Sequence, residues 1–449
     1  MKFEIRNAAK LAMLVVAGLL FVGNVHAQNA DEEDDTKTKK AQAVSKEVYD
    51  KIQKAQEEVD AQNYDAALNI LNNLRDDSLT EYELQNVLNY VGFVHYNMDN
   101  VEQARRVYEE MLQIETLEPQ VRKQTTYTLA QLATMQEDYR EALQRLDEWF
   151  ALETNPGPQP YILYAQNLYQ VDRYADMIQP IETAMRIARE RDKEVKEDWY
   201  VLLNFAYFQQ ENYAKVRDIQ KILLVNWPKK RYWFSLAGAY TELGEDQNLI
   251  AAYDVAHTQG LLEKESEFVT MAQLYMQAEV PYKAAKLLDE KIKAGVVEGN
   301  ARNYRLLSQA WQLAMEDEKS IPALQQAARL EDDGELFVRL GNAYLNLGRY
   351  DECVAAVNSG IEKGGLKSPD NAQISLGMCL YNQQEYQAAI RAFREAGKSG
   401  RSQRIARQWI NVIESDIERE RQIQLAEAAA EKRQAELQRR LQRAAEERF

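Results

Sequence analysis

Phe337-Val-Arg-Leu-Gly-Asn-Ala-Tyr344, then Leu347-Gly-Arg-Tyr350, and then Cys353, Val357 and Gly360 form the stretch that decides the fold. Phe337, Leu340 and Tyr344 recur at spacings of three and four residues, so they form one apolar stripe on a first helix. Gly341 lies within that stripe, and the absence of a side chain there lets a second helix approach closely. The Leu-Gly pair that follows breaks the first helix. The stretch therefore predicts two antiparallel helices, with the small Cys353 facing Gly341.

The same pattern returns every 34 to 36 residues or so, at about ten places. The position just after the turn is held by Tyr64, Val101, Tyr139, Tyr174, Tyr213, Asp246, Pro281, Asp317, Tyr350 and Tyr386. The small position three residues later is held by Ala67, Ala104, Ala142, Met177, Val216, Leu249, Ala284, Ser320, Cys353 and Ala389. The middle repeats therefore deviate most. Repeats in phase over residues 45–400 argue against an irregular helical bundle with coincidental tyrosine spacing.

This period and pattern resemble those of tetratricopeptide repeat (TPR) proteins over nearly all of the chain. The resemblance implies an all-α fold, a right-handed superhelical solenoid of about ten helix-turn-helix units that bury their apolar faces on one another. Residues 401–413 carry Ile405, Trp409, Ile410 and Ile413 at helical spacing, which predicts a C-terminal capping helix.

Residues 414–449 are rich in Glu, Arg, Gln and Ala and contain no Pro or Gly, which predicts a long charged helical tail. Ile413 and Ile417 form one i, i+4 apolar pair, and Leu437 and Leu441 form another. Alanine fills most positions between them. The tail is therefore either a solvated helix or an arm that pairs with another helical protein or with itself, and the coiled coil and the oligomeric state stay open.

Three basic residues in the first ten positions precede an apolar run at residues 11–22 and then Val25-His26-Ala27. This order is typical of a secretory signal peptide over residues 1–27, cleaved after Ala27. The run of about 12 apolar residues is shorter than the roughly 20 that an uncleaved membrane anchor needs. Residues 28–44 are predicted to be an acidic, disordered spacer. We expect an exported chain that does not span a membrane, in the periplasm if the host has two membranes.

The formal net charge is −16, and residues 1–27 carry three basic residues and one acidic residue, so the remainder carries −18. Such a charge makes nucleic acid an unsuitable partner. Beyond Ala27 the histidines are His95 and His257, and His95 holds the position of Tyr344, which suggests a satisfied core or rim residue. The sequence has no metal-site spacing, phosphate loop or serine nucleophile motif. We therefore expect no enzyme activity, cofactor or metal.

The two cysteines, Cys353 and Cys379, fall on the second helix of repeat nine and the first helix of repeat ten. These helices are predicted to pack together. A disulfide is possible in an oxidising compartment, and so are two buried free thiols that act as small core residues. The separation of the Cα atoms decides between them.

In the TPR family the first helices line the concave wall that binds partners, at positions one and five residues after the one aligned with Phe337 and a turn beyond. Carried over residue by residue, the family predicts a partner-binding wall of Phe93, Tyr96, Asn97, Tyr127, Gln131, Gln166, Tyr169, Phe205, Phe208, Gln209 and Phe234, with Ile162 and Val201 beside them. Rings offer buried area and amides pair with backbone groups, so this wall suits a peptide or protein segment. Alternatively, some rings pack between adjacent repeats.

Some family members bind acidic C-termini with a clamp of Lys, Asn and Arg on successive first helices. Arg302 and Arg305 stand at such positions in repeat eight, but the neighbouring repeats carry no companions. We therefore do not expect an adaptor for chaperone tails.

The whole chain, with its signal peptide, repeat array and charged tail, resembles the exported TPR proteins that accompany TonB, ExbB and ExbD energy-transducing systems of Gram-negative envelopes. That likeness implies a periplasmic accessory of TonB-dependent transport, such as uptake of siderophore-bound iron. A second hypothesis is an envelope assembly factor for pili, outer-membrane proteins or the peptidoglycan machinery, although many of those carry a lipid-attachment Cys that is missing here. A third is a binder of a glycan or small solute, which predicts one deep pocket.

Overall fold

The computed structural model describes residues 44–75 and 78–446, and every regular element in these ranges is a helix. A first compact unit ends at Leu243 and a second begins at Gly244. The helices of the first unit are α1 (Lys46–Asp60), α2 (Tyr64–Arg75), α3 (Glu81–Asn97), α4 (Val101–Leu112), α5 (Pro119–Met135), α6 (Tyr139–Leu152), α7 (Pro158–Gln170), α8 (Ile178–Glu190), α9 (Glu197–Gln209), α10 (Tyr213–Asn226) and α11 (Lys230–Leu243).

The helices of the second unit are α12 (Asp246–Thr258), α13 (Glu265–Gln277), α14 (Pro281–Lys293), α15 (Ala301–Leu313), α16 (Asp317–Leu330), α17 (Glu335–Asn346), α18 (Tyr350–Lys363), α19 (Pro369–Asn382), α20 (Tyr386–Ala396) and α21 (Gln403–Glu446). The predicted all-α fold of helix-turn-helix repeats is confirmed. The predicted signal peptide, and the predicted spacer except Val44, lie outside the described residues. No helix in the described ranges combines the length and the apolar character needed to cross a bilayer.

Within each unit a helix packs on the next one along the chain, and connections of a few residues make neighbours antiparallel. First helices of adjacent repeats also touch, as α1 does with α3 and α17 with α19. The second helices begin at the predicted residue in nine repeats. In repeat four, Tyr174 instead precedes a 3₁₀ turn (Ala175–Met177), and α8 starts at Ile178.

Every turn that precedes a second helix contains one residue in the left-handed backbone region, two positions before the predicted marker. These residues are Gln62, Asp99, Glu137, Asp172, Glu211, Gly244, Glu279, Met315, Gly348 and Gln384, with φ between 54° and 70°. A left-handed residue ends a helix because the following N–H groups can bond to its last free carbonyls, as Arg349 N does to Tyr344 O at 2.9 Å. The sequence indicated this turn only through Gly348, yet most of these residues carry a side chain.

The small position of the second helix is buried in all ten repeats, with at most 7 % exposed. The facing position of the first helix is a glycine in repeats two, nine and ten, at Gly92, Gly341 and Gly377. A Cβ on Gly92 would lie 2.6 Å from the ring of Tyr108, and one on Gly377 would lie 2.8 Å from the ring of Phe393. Each glycine therefore makes room for the side chain seven positions into the second helix.

In repeat nine that side chain is Val357, and Cys353 contributes its carbonyl oxygen, 3.3 Å from the Cβ position of Gly341. Cys353 therefore faces Gly341, as predicted, but it does so with its backbone, and the side chain that fills the space is that of Val357. A residue one turn further along the second helix fills it, because the helices cross at that point.

Acidic side chains near the start of first helices bind residues about one repeat away in sequence. Glu83 accepts hydrogen bonds from Ser45 N at 3.0 Å and from Thr80 N at 3.1 Å. The bonds from Ser45, followed by that from Thr80, lower the pKa of Glu83 to about 2. The same arrangement joins Glu81 to Thr116, Glu197 to Lys229, Glu265 to Asn303, Glu335 to Lys367 and Asp370 to Ser402. These bonds connect consecutive repeats at one edge of each unit.

The predicted capping helix and tail form one continuous helix, α21, of 44 residues, without a break at Ile413. Trp409 stacks on Phe393 with ring centroids 5.6 Å apart, and Ile413 is fully buried. Asp416 and Glu420 accept hydrogen bonds from the hydroxyls of two tyrosines, Tyr381 at 2.8 Å and Tyr386 at 2.7 Å. All side chains of residues 421–443 are exposed. The change at the end of the array is therefore one of burial and not of secondary structure.

Cys353 on α18 and Cys379 on α19 form a disulfide between repeats nine and ten. Their Cα atoms lie 5.9 Å apart, within the range that a disulfide spans. Both residues are fully buried, so the bridge lies in the core of the second unit.

Candidate partner-binding surface

The predicted wall residues all lie on first helices of the first unit, on α3, α5, α7, α9 and α11. Asn97, Phe208 and Gln209 are exposed, and 51 % of Phe208 is accessible. The half-buried members are Phe93, Tyr96, Tyr127, Gln131, Gln166, Tyr169, Phe205 and Phe234, together with their neighbour Val201. Ile162, predicted beside them, is only 4 % exposed and belongs to the core, so that assignment is wrong.

Tyr169, Tyr174 and Phe205 form a three-ring cluster between repeats four and five. The ring centroid of Phe205 lies 5.0 Å from that of Tyr169 and 5.1 Å from that of Tyr174, both edge to face. Such contacts stabilise packing beyond the buried area alone. Two of the predicted wall rings therefore pack between adjacent repeats, as the alternative interpretation holds.

Tyr127 packs inside its own repeat, with its ring centroid 4.9 Å from that of Trp149. Burial raises the pKa of Tyr127 to about 12. Phe150, which follows Trp149, has its ring centroid 4.6 Å from that of Tyr161, and this contact joins repeat three to repeat four. Sequence reasoning missed this second ring cluster, since its rings come from the end of α6 and the start of α7 rather than from the wall positions.

Phe208 and Gln209 lie at the end of α9, and both are exposed. Phe208 contacts Tyr213 edge to face at 6.0 Å, which leaves much of its ring open. At α11, the ammonium of Lys230 lies 5.6 Å from the ring centroid of Phe234. Accessible rings flanked by amides and a cation can contact both apolar and polar parts of a partner.

An unpredicted feature recurs in both units: six first helices, three in each unit, end on an amide. We call Asn97, Gln170, Gln209, Gln277, Asn346 and Asn382 the terminal amide row. Five of them are exposed, and Gln170 is half-buried. Asn97 and Asn382 donate to the carbonyl four residues earlier, at 2.8 Å each, which leaves the amide oxygen as an acceptor. The shared position before the left-handed turn could have identified this row.

Two other polar residues that the sequence analysis considered, Arg305 and His95, lie outside the predicted wall. Arg305 forms an ion pair with Glu331 at 2.7 Å, so its charge is balanced. His95 is half-buried, and its Nδ1 has no hydrogen-bond partner in the described part of the chain, which corrects the expectation of a satisfied residue. Burial, followed by the charge of Arg75, lowers the pKa of His95. Residues 44–75 and 78–446 contain no group of His, Cys, Asp and Glu that could hold a metal ion.

Neither a family model nor a curated protein matches the chain. Among solved structures, it is similar to the TPR2AB domain of yeast Sti1 in its pHSP90 complex (16 % identical, 60 % of this chain and 98 % of that one, TM-score 0.33). It is also similar to YrrB, described as a TPR protein with an unusual peptide-binding site (18 %, 39 % and 89 %, 0.32), and to a TPR protein from Parabacteroides merdae (15 %, 57 % and 98 %, 0.29). Such low scores carry no argument about this chain, whose repeat fold rests on its own helix pairs.

Proposed function

We propose that this protein is a scaffold in which each unit binds extended segments of partner proteins along its own first helices, through its members of the terminal amide row and, in the first unit, the exposed rings beside them. The observation that carries this proposal is that six first helices end on an amide at one repeat position, five of them exposed. An amide offers two donors and one acceptor group, so it can pair with the N–H and C=O groups of any peptide. The amides of repeats four and five, and those of repeats nine and ten, lie on adjacent repeats, which suits a segment that runs from one repeat to the next.

The rings add contact area that the amides lack. Phe208 is followed directly by Gln209, and Phe93 lies one turn before Asn97, so each pair brings an apolar ring and an amide to the end of the same helix. A partner segment with alternating apolar and polar residues would match this pattern. The alternative is that the amides contact only solvent at the helix ends. It predicts that substituting them with alanine causes no loss of partner binding.

We further propose that the partners belong to a TonB, ExbB and ExbD energy-transducing complex, with the protein acting in the periplasm as an accessory of TonB-dependent transport. The likeness of the whole chain to exported TPR proteins of that kind supports this assignment. An envelope assembly factor for pili, outer-membrane proteins or peptidoglycan enzymes is the second candidate, favoured by the same segment-binding surface.

Site-specific photocrosslinking in the native host tests both levels of the proposal. A photoreactive residue at Phe208 or Gln209 should capture a partner. The matched control is Val225, which is 82 % exposed on α10, the second helix of the same repeat, and should capture none. Equal capture at Val225 would contradict the surface assignment.

The identity of the captured protein tests the finer assignment. Recovery of TonB- or ExbD-type proteins would support the transport role, whereas pilus, barrel-assembly or cell-wall proteins would favour the second candidate. Cell fractionation and N-terminal sequencing test export: we expect a periplasmic chain beginning at Gln28, and an intact N-terminus at Met1 would contradict it.

A further inference from the structure

The free part of α21 carries an apolar stripe that no other described residue covers. Ile423, Leu437 and Leu441 are 50 %, 57 % and 63 % exposed. With Ala426 and Ala430 they follow spacings of 3, 4, 7 and 4 residues, so all five lie on one face of the helix. A stripe of leucine and isoleucine with small residues between them is the kind of face on which a second helix packs.

The stripe continues into the part of α21 that is attached to the array. Val412 and Ile405 precede Ile423 by 11 and 18 residues, which are close to whole numbers of helical turns, and they are 46 % and 42 % exposed. Ile413 and Ile417, which pack on the array, point about a quarter turn or more away from this stripe. Trp409 and Asp416 lie closer to it and contact the array, so the stripe is open to a partner helix beyond Glu420, where all side chains up to residue 443 are exposed.

Charge along α21 is separated into two halves about Ala430. Residues 414–428 carry five acidic and two basic residues, a net charge of −3. Residues 432–446 carry five basic and two acidic residues, a net charge of +3. Two copies in parallel would place like charges side by side, whereas two antiparallel copies centred on Ala430 would place the acidic half of each against the basic half of the other.

We propose that α21 joins two copies of this chain as an antiparallel helix pair centred on Ala430. This alignment places Ile423 opposite Leu437 of the second copy and puts the small Ala430 where the two helices are closest. The occupant of the stripe is therefore a second copy, because the helix matches its own reversed charge pattern. This inference is independent of the partner-binding surface, which lies on other helices.

Sedimentation equilibrium of the purified protein tests the pairing. We expect a dimer whose dissociation constant rises about tenfold or more in Leu437→Gln, because each dimer contains that leucine twice. Leu425→Gln is the matched control, since Leu425 is 55 % exposed on a different face of α21 and should leave the dimer unchanged. A monomeric wild type at about 100 μM, or equal effects of the two substitutions, would overturn the proposal.

Cysteine crosslinking tests the direction of the pair. A mixture of Ile423→Cys and Leu437→Cys should give a crosslinked heterodimer, and neither variant alone should crosslink. A parallel pair would instead crosslink each variant with itself, and that result would overturn the antiparallel assignment. Recovery of monomers only, from a sample that sediments as a dimer, would assign the contact to another surface.

Discussion

The outer repeats and the middle repeats differ in the side chains that lie between their first and second helices. In repeats two, nine and ten, the first helix has a glycine that faces the second helix, and the side chain of Tyr108, Val357 or Phe393 fills the space. In repeat five that position is Asn204, whose Oδ1 is buried without a hydrogen-bond partner in the described residues. Repeat four replaces the small residue with Met177 and starts its second helix with a 3₁₀ turn. We infer that the outer repeats contribute most to stability and that the middle repeats carry accessible rings.

The strongest test of this comparison is Phe393→Ala. Phe393 is fully buried, fills the position at Gly377 and stacks on Trp409, so its removal opens a cavity between repeat ten and α21. We expect a loss of about 3–5 kcal/mol of unfolding free energy, measured by urea denaturation. Phe208→Ala, in the middle repeats, should change it by less than about 0.5 kcal/mol. Similar losses of unfolding free energy in both variants would contradict the inference that the outer repeats contribute more to stability than the middle repeats.

The glycine itself can be tested with Gly92→Ala, for which Gly238→Ala on α11 is a matched control. A Cβ at Gly92 would collide with the buried ring of Tyr108, whereas one at Gly238 meets no atom within 4 Å. We expect a loss of about 1–3 kcal/mol at Gly92 and a gain of about 0.5–1 kcal/mol at Gly238, from overpacking and from helix propensity respectively. Thermal melting of both variants would show opposite shifts, and a gain at Gly92 would contradict the close approach.

The carboxylate of Glu83 ties Ser45 to repeat two, and its effect depends on pH. Because its folded pKa of about 2 is below its ordinary value of 4.5, its stabilisation is complete above about pH 4.5 and is lost as the pH falls towards 2. Glu83→Gln should therefore cost about 1–2 kcal/mol at pH 7 and almost nothing at pH 2. The measurement is the melting temperature against pH, with the exposed Glu57→Gln as control. A difference that does not shrink in acid would show that Glu83 acts by packing alone.

The smallest expected effect is a gain from Asn204→Ala in repeat five. Removing an unpartnered amide oxygen and improving helix propensity should raise stability by up to about 1 kcal/mol. The control is Asn342→Ala, at an exposed position of α17. Its stability gains from helix propensity only, so it should rise by less than that of Asn204→Ala. Chemical denaturation of both variants would decide, and a loss at Asn204 would mean that this side chain has a structural partner.

The repeat positions could be predicted from sequence because they depend on local spacing. Nine second helices begin at the predicted residue, since an apolar stripe, a turn and a small residue follow one another within a single repeat. Exposure of the wall could not be predicted in the same way. Whether Phe205 faces solvent depends on Tyr169 and Tyr174 of the preceding repeat, and the exposure of Phe208 depends on Tyr213 at the start of the next helix.

The left-handed residues also mark an equivalent backbone position in the turn of every repeat. Residues such as Gln62, Glu137 and Gln384 share one backbone conformation at the same point of each repeat, whatever their side chains. A genetic recombination event between the codons of two such turn residues removes or adds a whole repeat without altering the sequence of a helix. Over evolutionary time, the length of this surface could therefore change in steps of one repeat, and with it the length of segment that a descendant protein can hold.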